Sequence, residues 1–246
     1  MFHYAFLLTI LAGSATLFGI VPILFRFRDT NKVIICSLSF ASGVMISASF
    51  FDLIPEAYLY FSSLYNSSIF TFLFLAIFFV MGILISTYIN KHLSFKEDNL
   101  YKVGITSMLA IIIHNLPEGI LTFLTASIDK RLGFSLFVAI FLHNIPEGIS
   151  IAVPIYYSTS SKCKAFFYSF LAAISEPLGA ILAFLFLRHV MNNLLFGILL
   201  SLTAGIMTNI SLYELLPESF SYKRKKISLI SFIIGLIFMY ISISIF

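Results

Sequence analysis

The chain has no tryptophan, two cysteines and few charges. Asp, Glu, Lys and Arg make up 11% of its 246 residues, against about 25% in an ordinary soluble domain. That shortage excludes a soluble globular enzyme, a disordered chain and a nucleic-acid binder. Each of those needs more charge to stay solvated or to meet phosphate. Cys36 and Cys163 are too few for a disulfide framework and read as free thiols on the cytoplasmic side. Without Trp, any aromatic belt at a membrane surface falls to Tyr and to the 29 Phe. No polar stretch is long enough for a second domain, so residues 1–246 read as one transmembrane unit.

What is abundant is apolar. Hydrophobic residues make up 60% of the chain and the mean hydropathy is +1.03. A spanning helix needs roughly 20 mostly apolar residues. Eight segments qualify: 4–25, 33–58, 69–90, 103–125, 132–156, 165–187, 194–220 and 227–246. The expectation is an all-α, polytopic membrane protein with eight transmembrane helices, joined by connections of 6 to 12 residues. The first segment has Arg26, Arg28 and Lys32 after it rather than a basic stretch before it, so it reads as a retained helix and not a cleaved signal. Alternate loops carry the positive charge. The first, third, fifth and seventh hold twelve Lys and Arg; the other side holds Lys130, Arg131 and Arg188. The positive-inside rule then places the protein in a cell membrane with both termini outside the cytoplasm. The run Lys223–Lys226 reads as a topology anchor rather than a lipid-binding patch.

The acids are distributed against expectation for a membrane protein. Asp29, Glu97, Asp98 and Asp129 fall in loops. The other seven fall within spans: Asp52, Glu56, Glu118, Glu147, Glu176, Glu214 and Glu218, together with His114 and His143. An ionised group at bilayer depth costs at least ~2.5–3.5 kcal/mol. No Lys or Arg lies deep in a predicted span to neutralise these acids, so they are protonated or they meet a cation from outside. His114, His143 and Glu176 each lie 11 residues into a span, about 16 Å deep and near the midplane. Asp52 and Glu56 fall near the external end of the second span, and Glu214 and Glu218 near the cytoplasmic end of the seventh. An acidic mouth on each face with a polar site between them reads as a cation pathway.

Two repeats sharpen this. His114-Asn115-Leu116-Pro117-Glu118-Gly119-Ile120 recurs as His143-Asn144-Ile145-Pro146-Glu147-Gly148-Ile149, differing only at the third position. At an offset of 162, Gly43, Met45, Ser49, Leu53, Pro55 and Glu56 match Gly205, Met207, Ser211, Leu215, Pro217 and Glu218, with Asp52 opposite Glu214. The second and seventh spans run in opposite directions, which fits an inverted repeat with its site at the midplane. Positions i and i+4 share a helix face, so His114 projects with Glu118 and His143 with Glu147. Asn115 and Asn144 sit about 100° round from the histidines. Imidazole and carboxylate together suit Zn²⁺ and other first-row divalent ions. Pro117 and Pro146 free the carbonyls of Ile113 and Leu142, which is tolerated where backbone lines a cavity. Gly119 and Gly148 permit close approach of a helix or a ligand. Glu176-Pro177 repeats the pairing of acid and proline. His3, His92 and His189 read as solvated or interfacial, and Met45 and Met207 as packing residues.

These paired motifs, followed by Ser175-Glu176-Pro177-Leu178-Gly179-Ala180, resemble the ZIP (Zrt-, Irt-like) divalent-metal transporters over essentially the whole chain. The resemblance implies an inverted repeat of three, two and three helices, and metal uptake into the cytoplasm by an elevator-like or rocking motion. It also implies a two-metal site. His114, Glu118, His143 and Glu147 would bind one ion, Asn115, Asn144 and Glu176 the other, with Glu118 and Glu147 bridging. Zn²⁺ is the favoured substrate, with Fe²⁺, Mn²⁺, Co²⁺ and Cd²⁺ as further candidates. Partners are then the divalent ions and the bilayer, with no nucleic acid and with a homodimer as an open assembly state. The pathway residues are Asp52 and Glu56 outside, Glu214 and Glu218 inside. The chain departs from many members at the loop Lys91–Lys102, where His92 is the lone histidine, and at Asp52, where many carry histidine. Two other classes compete. An intramembrane metallo-hydrolase lacks its His-Glu-x-x-His motif here, and a proton channel leaves the His/Asn motifs unexplained.

Overall fold

The computed structural model describes residues 2–65, 67–92, 99–187 and 192–245. Lys96, Glu97, Asp98, Arg188 and His189, assigned above to connections, lie outside the described residues. Among the described residues eight helices are long and apolar enough to cross a membrane: α1 (Phe2–Leu24), α2 (Thr30–Ser62), α3 (Ser68–His92), α4 (Asn99–Ile128), α5 (Lys130–Thr159), α6 (Lys162–Phe186), α7 (Asn193–Ser221) and α8 (Lys225–Ile245). Helices are the expected outcome, because an apolar segment without water must satisfy its own backbone.

Most helices run further than the apolar runs, and several connections are shorter than the expected 6 to 12 residues. Asp129 alone separates α4 from α5, and Ser160 and Ser161 alone separate α5 from α6. Polar caps cause the difference, and hydropathy does not register them. The Asp129 carboxylate accepts from the N–H groups of Arg131 (2.7 Å) and Leu132 (3.1 Å). The Ser161 hydroxyl accepts from Lys164 N–H, and the Asn192 side chain accepts from Leu195 N–H. Each satisfies a donor that the first helical turn leaves unpaired.

Among the described residues three segments widen into π-helix, one of them Ala183–Leu187 at the end of α6 and the other two inside helices, α2 over Ser49–Leu53 and α7 over Ser211–Leu215. The latter two are 162 residues apart, the same offset as the sequence repeat. A proline follows each, Pro55 and Pro217, and its ring excludes the carbonyl four residues back, which lies inside the widened turn.

Packing divides the helices into two sets of four. One set is α1, α4, α5 and α6; the other is α2, α3, α7 and α8. The sets meet where α2 packs on α5 and where α4 packs on α7. Backbone-to-backbone crossings repeat within each set. Gly43 of α2 lies against α8 and Gly235 of α8 lies against α2; Gly205 of α7 and Gly82 of α3 meet in the same way. In the other set Gly19 of α1 and Gly148 of α5 face each other, and Gly119 of α4 and Gly179 of α6 do likewise on their partner helices. Lipid supplies no hydrophobic drive between helices, so small residues that let backbones touch set the crossings. The contacts made by α1, α2 and α3 are thus made again by α6, α7 and α8.

Candidate metal centre

His114, His143 and Glu176 fall near the middle of α4, α5 and α6. Side by side, α4 and α5 bring their two motifs face to face, and the acid–imidazole pairs form across the helices rather than along them. His114 Nε2 meets Glu147 Oε1 at 3.0 Å, and His143 Nε2 meets Glu118 Oε2 at 3.4 Å. All four side chains are 4% exposed or less. The expected i, i+4 faces are present, and their polar ends are exchanged between helices.

Glu176 enters from α6. Its placement follows from Gly119, whose missing Cβ leaves room for the Glu176 backbone. Asn144 Nδ2 donates to Glu176 Oε1 and to the carbonyl of Ala12 on α1 at 2.8 Å. The close approach foreseen for the motif glycines is therefore to neighbouring helices, Gly119 to α6 and Gly148 to Thr16 of α1. Asn115, fully buried, has a partner for neither side-chain atom among the described residues.

All seven candidate residues carry an unsatisfied buried atom among the described residues: His114 Nδ1, both polar atoms of Asn115, Glu118 Oε1, His143 Nδ1, Asn144 Oδ1, Glu147 Oε2 and Glu176 Oε2. No three His, Cys, Asp or Glu groups among the described residues already converge as a cage for one ion. The acids and imidazoles hold each other in pairs, and an ion would have to separate them.

Two cavities flank this cluster. The first, about 310 Å³, is lined by Asp52, Glu56 and Tyr60 of α2, Thr125 of α4 and Ser135 of α5. Asp52 lies within electrostatic reach of His143 and Glu118. The second, about 300 Å³, is lined by Glu214 and Glu218 of α7 and by Asn99, Lys102 and Thr106 of α4. Thr106 Oγ1 donates to Glu214, and Asn99 Nδ2 donates to Glu218. No Lys or Arg was expected deep in a span, and the basic residue beside these acids stands at a helix end, though within the helix rather than in the connection to which it was assigned. Because α4 begins at Asn99 and not at 103, Lys102 stands in its first turn, beside Glu214. Thr106 and Asn99 were not legible as acid partners, since no motif marks them.

The remaining residues fall as expected. His3 and His92 are exposed, and the His92 ring lies on Tyr88. Cys36 and Cys163 are free, and Met45 and Met207 are fully buried in the apolar core.

Fold and site together define a polytopic helical protein with a buried cluster of His, Glu and Asn side chains between two acidic cavities. Residues 95–243 match the family model of the ZIP zinc transporters. Zinc transporter ZupT of Streptococcus mutans is 39% identical over 98% of this chain and 97% of its own length. Those of Clostridium perfringens and Campylobacter jejuni are 39% and 38% identical, each over 98% of this chain and 95% of their own length. The chain belongs to the ZIP family.

Proposed function

We propose that this protein carries divalent metal ions, Zn²⁺ first among them, across the membrane into the cytoplasm, with the whole chain acting as one unit. The observation that carries this reading is the set of eight unsatisfied atoms on the seven candidate residues. A buried polar group without a partner costs roughly 1–3 kcal/mol. Eight of them rival the ~5–15 kcal/mol by which an ordinary domain is stable. A purely structural polar contact would not leave so much unpaired, whereas a site that must accept an ion has reason to. The donor set of imidazole, carboxylate and amide oxygen suits Zn²⁺, and without thiolate it does not exclude Fe²⁺, Mn²⁺, Co²⁺ or Cd²⁺.

In this reading Asp52 and Glu56 concentrate the ion at the outer cavity. The ion separates the crossed pairs, taking His114, Glu118, His143 and Glu147, and metal replaces the protons that those hydrogen bonds held. Asn115, Asn144 and Glu176 supply a second position beside it, bridged through Glu118 and Glu147. Glu214 and Glu218 receive the ion on the cytoplasmic side. Both cavities lie between the two helix sets, so a displacement of one set against the other opens one and closes the other, which is alternating access. The excess of Lys and Arg in alternate connections supports an orientation with both termini outside the cytoplasm. Membership of a transporter family sets aside the metallo-hydrolase, and the chain is not an enzyme.

The test is uptake of labelled Zn²⁺ into proteoliposomes. The double variant His114→Ala, Glu147→Ala is expected to lose uptake by at least a hundredfold. Undiminished uptake refutes the assignment, and proton current in the complete absence of metal would favour the channel.

A further inference from the structure

The two acidic cavities correspond through the repeat, yet their charges differ. Each offers two carboxylates four residues apart, the first inside a π-turn and the second just after it, Asp52 and Glu56 on α2, Glu214 and Glu218 on α7. Among the described residues, no Lys or Arg lines the cavity of Asp52 and Glu56. The cavity of Glu214 and Glu218 contains Lys102. It also contains Asn99 and Thr106, which donate to the two acids. These residues lie at positions i, i+3 and i+7 of α4 and so share one face. The first two turns of α4 therefore present to the acids what a bound cation would present: one positive charge and two donors.

We propose that Lys102 is a tethered cation that competes with the metal for Glu214 and Glu218 and so weakens metal binding at that cavity relative to the other. This rests on the transport reading. A transporter that passes an ion between two equal acidic cavities would hold it on both sides. Where one cavity offers two carboxylates and its counterpart offers two carboxylates with a lysine beside them, the ion binds readily at the first and leaves readily from the second. Lys102 does not move the equilibrium across the membrane. It sets how the apparent affinity differs between the two faces. A unit charge several ångströms from a divalent ion in a wet cavity changes affinity by roughly tenfold.

Zn²⁺ flux in right-side-out and inside-out membrane vesicles tests this, with a membrane-impermeant maleimide on the exposed Cys163 reporting which face is outward. In Lys102→Gln, KM for Zn²⁺ presented to the Cys163 face should fall about tenfold, while KM at the opposite face is unchanged. Lys102→Arg should keep the wild-type asymmetry, and Lys102→Met should reproduce Lys102→Gln. Lys102 is half-buried in a first helical turn, so the neutral variants are expected to fold. Flux with an unaltered KM at the Cys163 face, or a Lys102→Arg variant that behaves as Lys102→Gln does, overturns the role of Lys102 and leaves the transport reading standing. Wild-type vesicles without Zn²⁺ flux overturn both.

Discussion

A methyl group added at Gly119 should disturb metal binding without removing any ligand. The new Cβ would collide with the backbone of Glu176, carbonyl included, and backbone on a packed helix cannot rotate away as a side chain can. Either α6 retreats from α4 or the helices shear, and Glu176 moves with them. Overpacking of this kind costs roughly 1–3 kcal/mol of stability. Displacing a group that orients a metal site typically costs on the order of 10–100-fold in affinity. Gly43 supplies the control. Its Cβ would meet the carbonyl of Phe232 on α8, again backbone, but in the helix set that holds none of the seven candidate residues. Gly43→Ala should therefore destabilise to a similar degree and leave affinity within about twofold of wild type. Thermal unfolding of the two detergent-purified variants measures the first quantity, and Zn²⁺ competition against a chelating dye measures the second. Equal losses of affinity in both would refute the positional argument. So would Gly119→Ala with lowered stability and wild-type affinity.

Two further perturbations have a sign fixed by the structure. Asp52→Asn removes one of the two carboxylates of the cavity shared with Glu56, so KM for dilute Zn²⁺ presented to that cavity should rise several-fold with little change in maximal rate. The difference should shrink at high salt as the field is screened, and a salt-independent defect in maximal rate would contradict a concentrating role. Asp29, an exposed α2 cap, lies 2.5 Å from Arg224 between α7 and α8, and the guanidinium holds its carboxyl below the ordinary value of 3.8. A depressed carboxylate contributes fully above its unfolded value and loses that contribution as pH falls through the folded one. The thermal-stability difference between wild type and Asp29→Asn should thus be constant near neutrality and vanish below pH 3.8; a difference that grows on acidification would contradict the assignment.

The number of helices was legible because each apolar run is long and no run is ambiguous with a strand. Their ends were not, because Asp129, Ser161 and Asn192 extend helices through local hydrogen bonds that an average over 20 residues blurs. The π-turns leave no hydrophobic signature and were not foreseen, although those of α2 and α7 fall on residues that repeat at an offset of 162, Ser49 and Ser211. That repeat also held Gly43 and Gly205, but their crossing partners Gly235 and Gly82 lie outside it and emerged only from packing. In the candidate site, spacing placed imidazole and carboxylate on one face of each helix. It could not place the two faces opposite each other, so the exchange of His114 to Glu147 and His143 to Glu118 was invisible. Lys102 was misplaced for the same reason as the helix ends: hydropathy drew the boundary of α4 one residue beyond it.

The division of labour between the helix sets follows from these positions. All seven candidate ligands are on α4, α5 and α6, within one set, while Asp52, Glu56, Glu214 and Glu218 are all on α2 and α7, within the other. A group of ligands that must release an ion on either side has to keep its own geometry while its surroundings change, because metal affinity is lost when ligands are misplaced by about an ångström. Glycine crossings bind α4 to α6 and α1 to α5 through backbone, the least deformable contact available. The boundary where α2 meets α5 and α4 meets α7 is not crossed by any of these glycine contacts. In the transport cycle proposed above, the movement would therefore fall between the sets, where it alters the two cavities and keeps the ligand-bearing helices together.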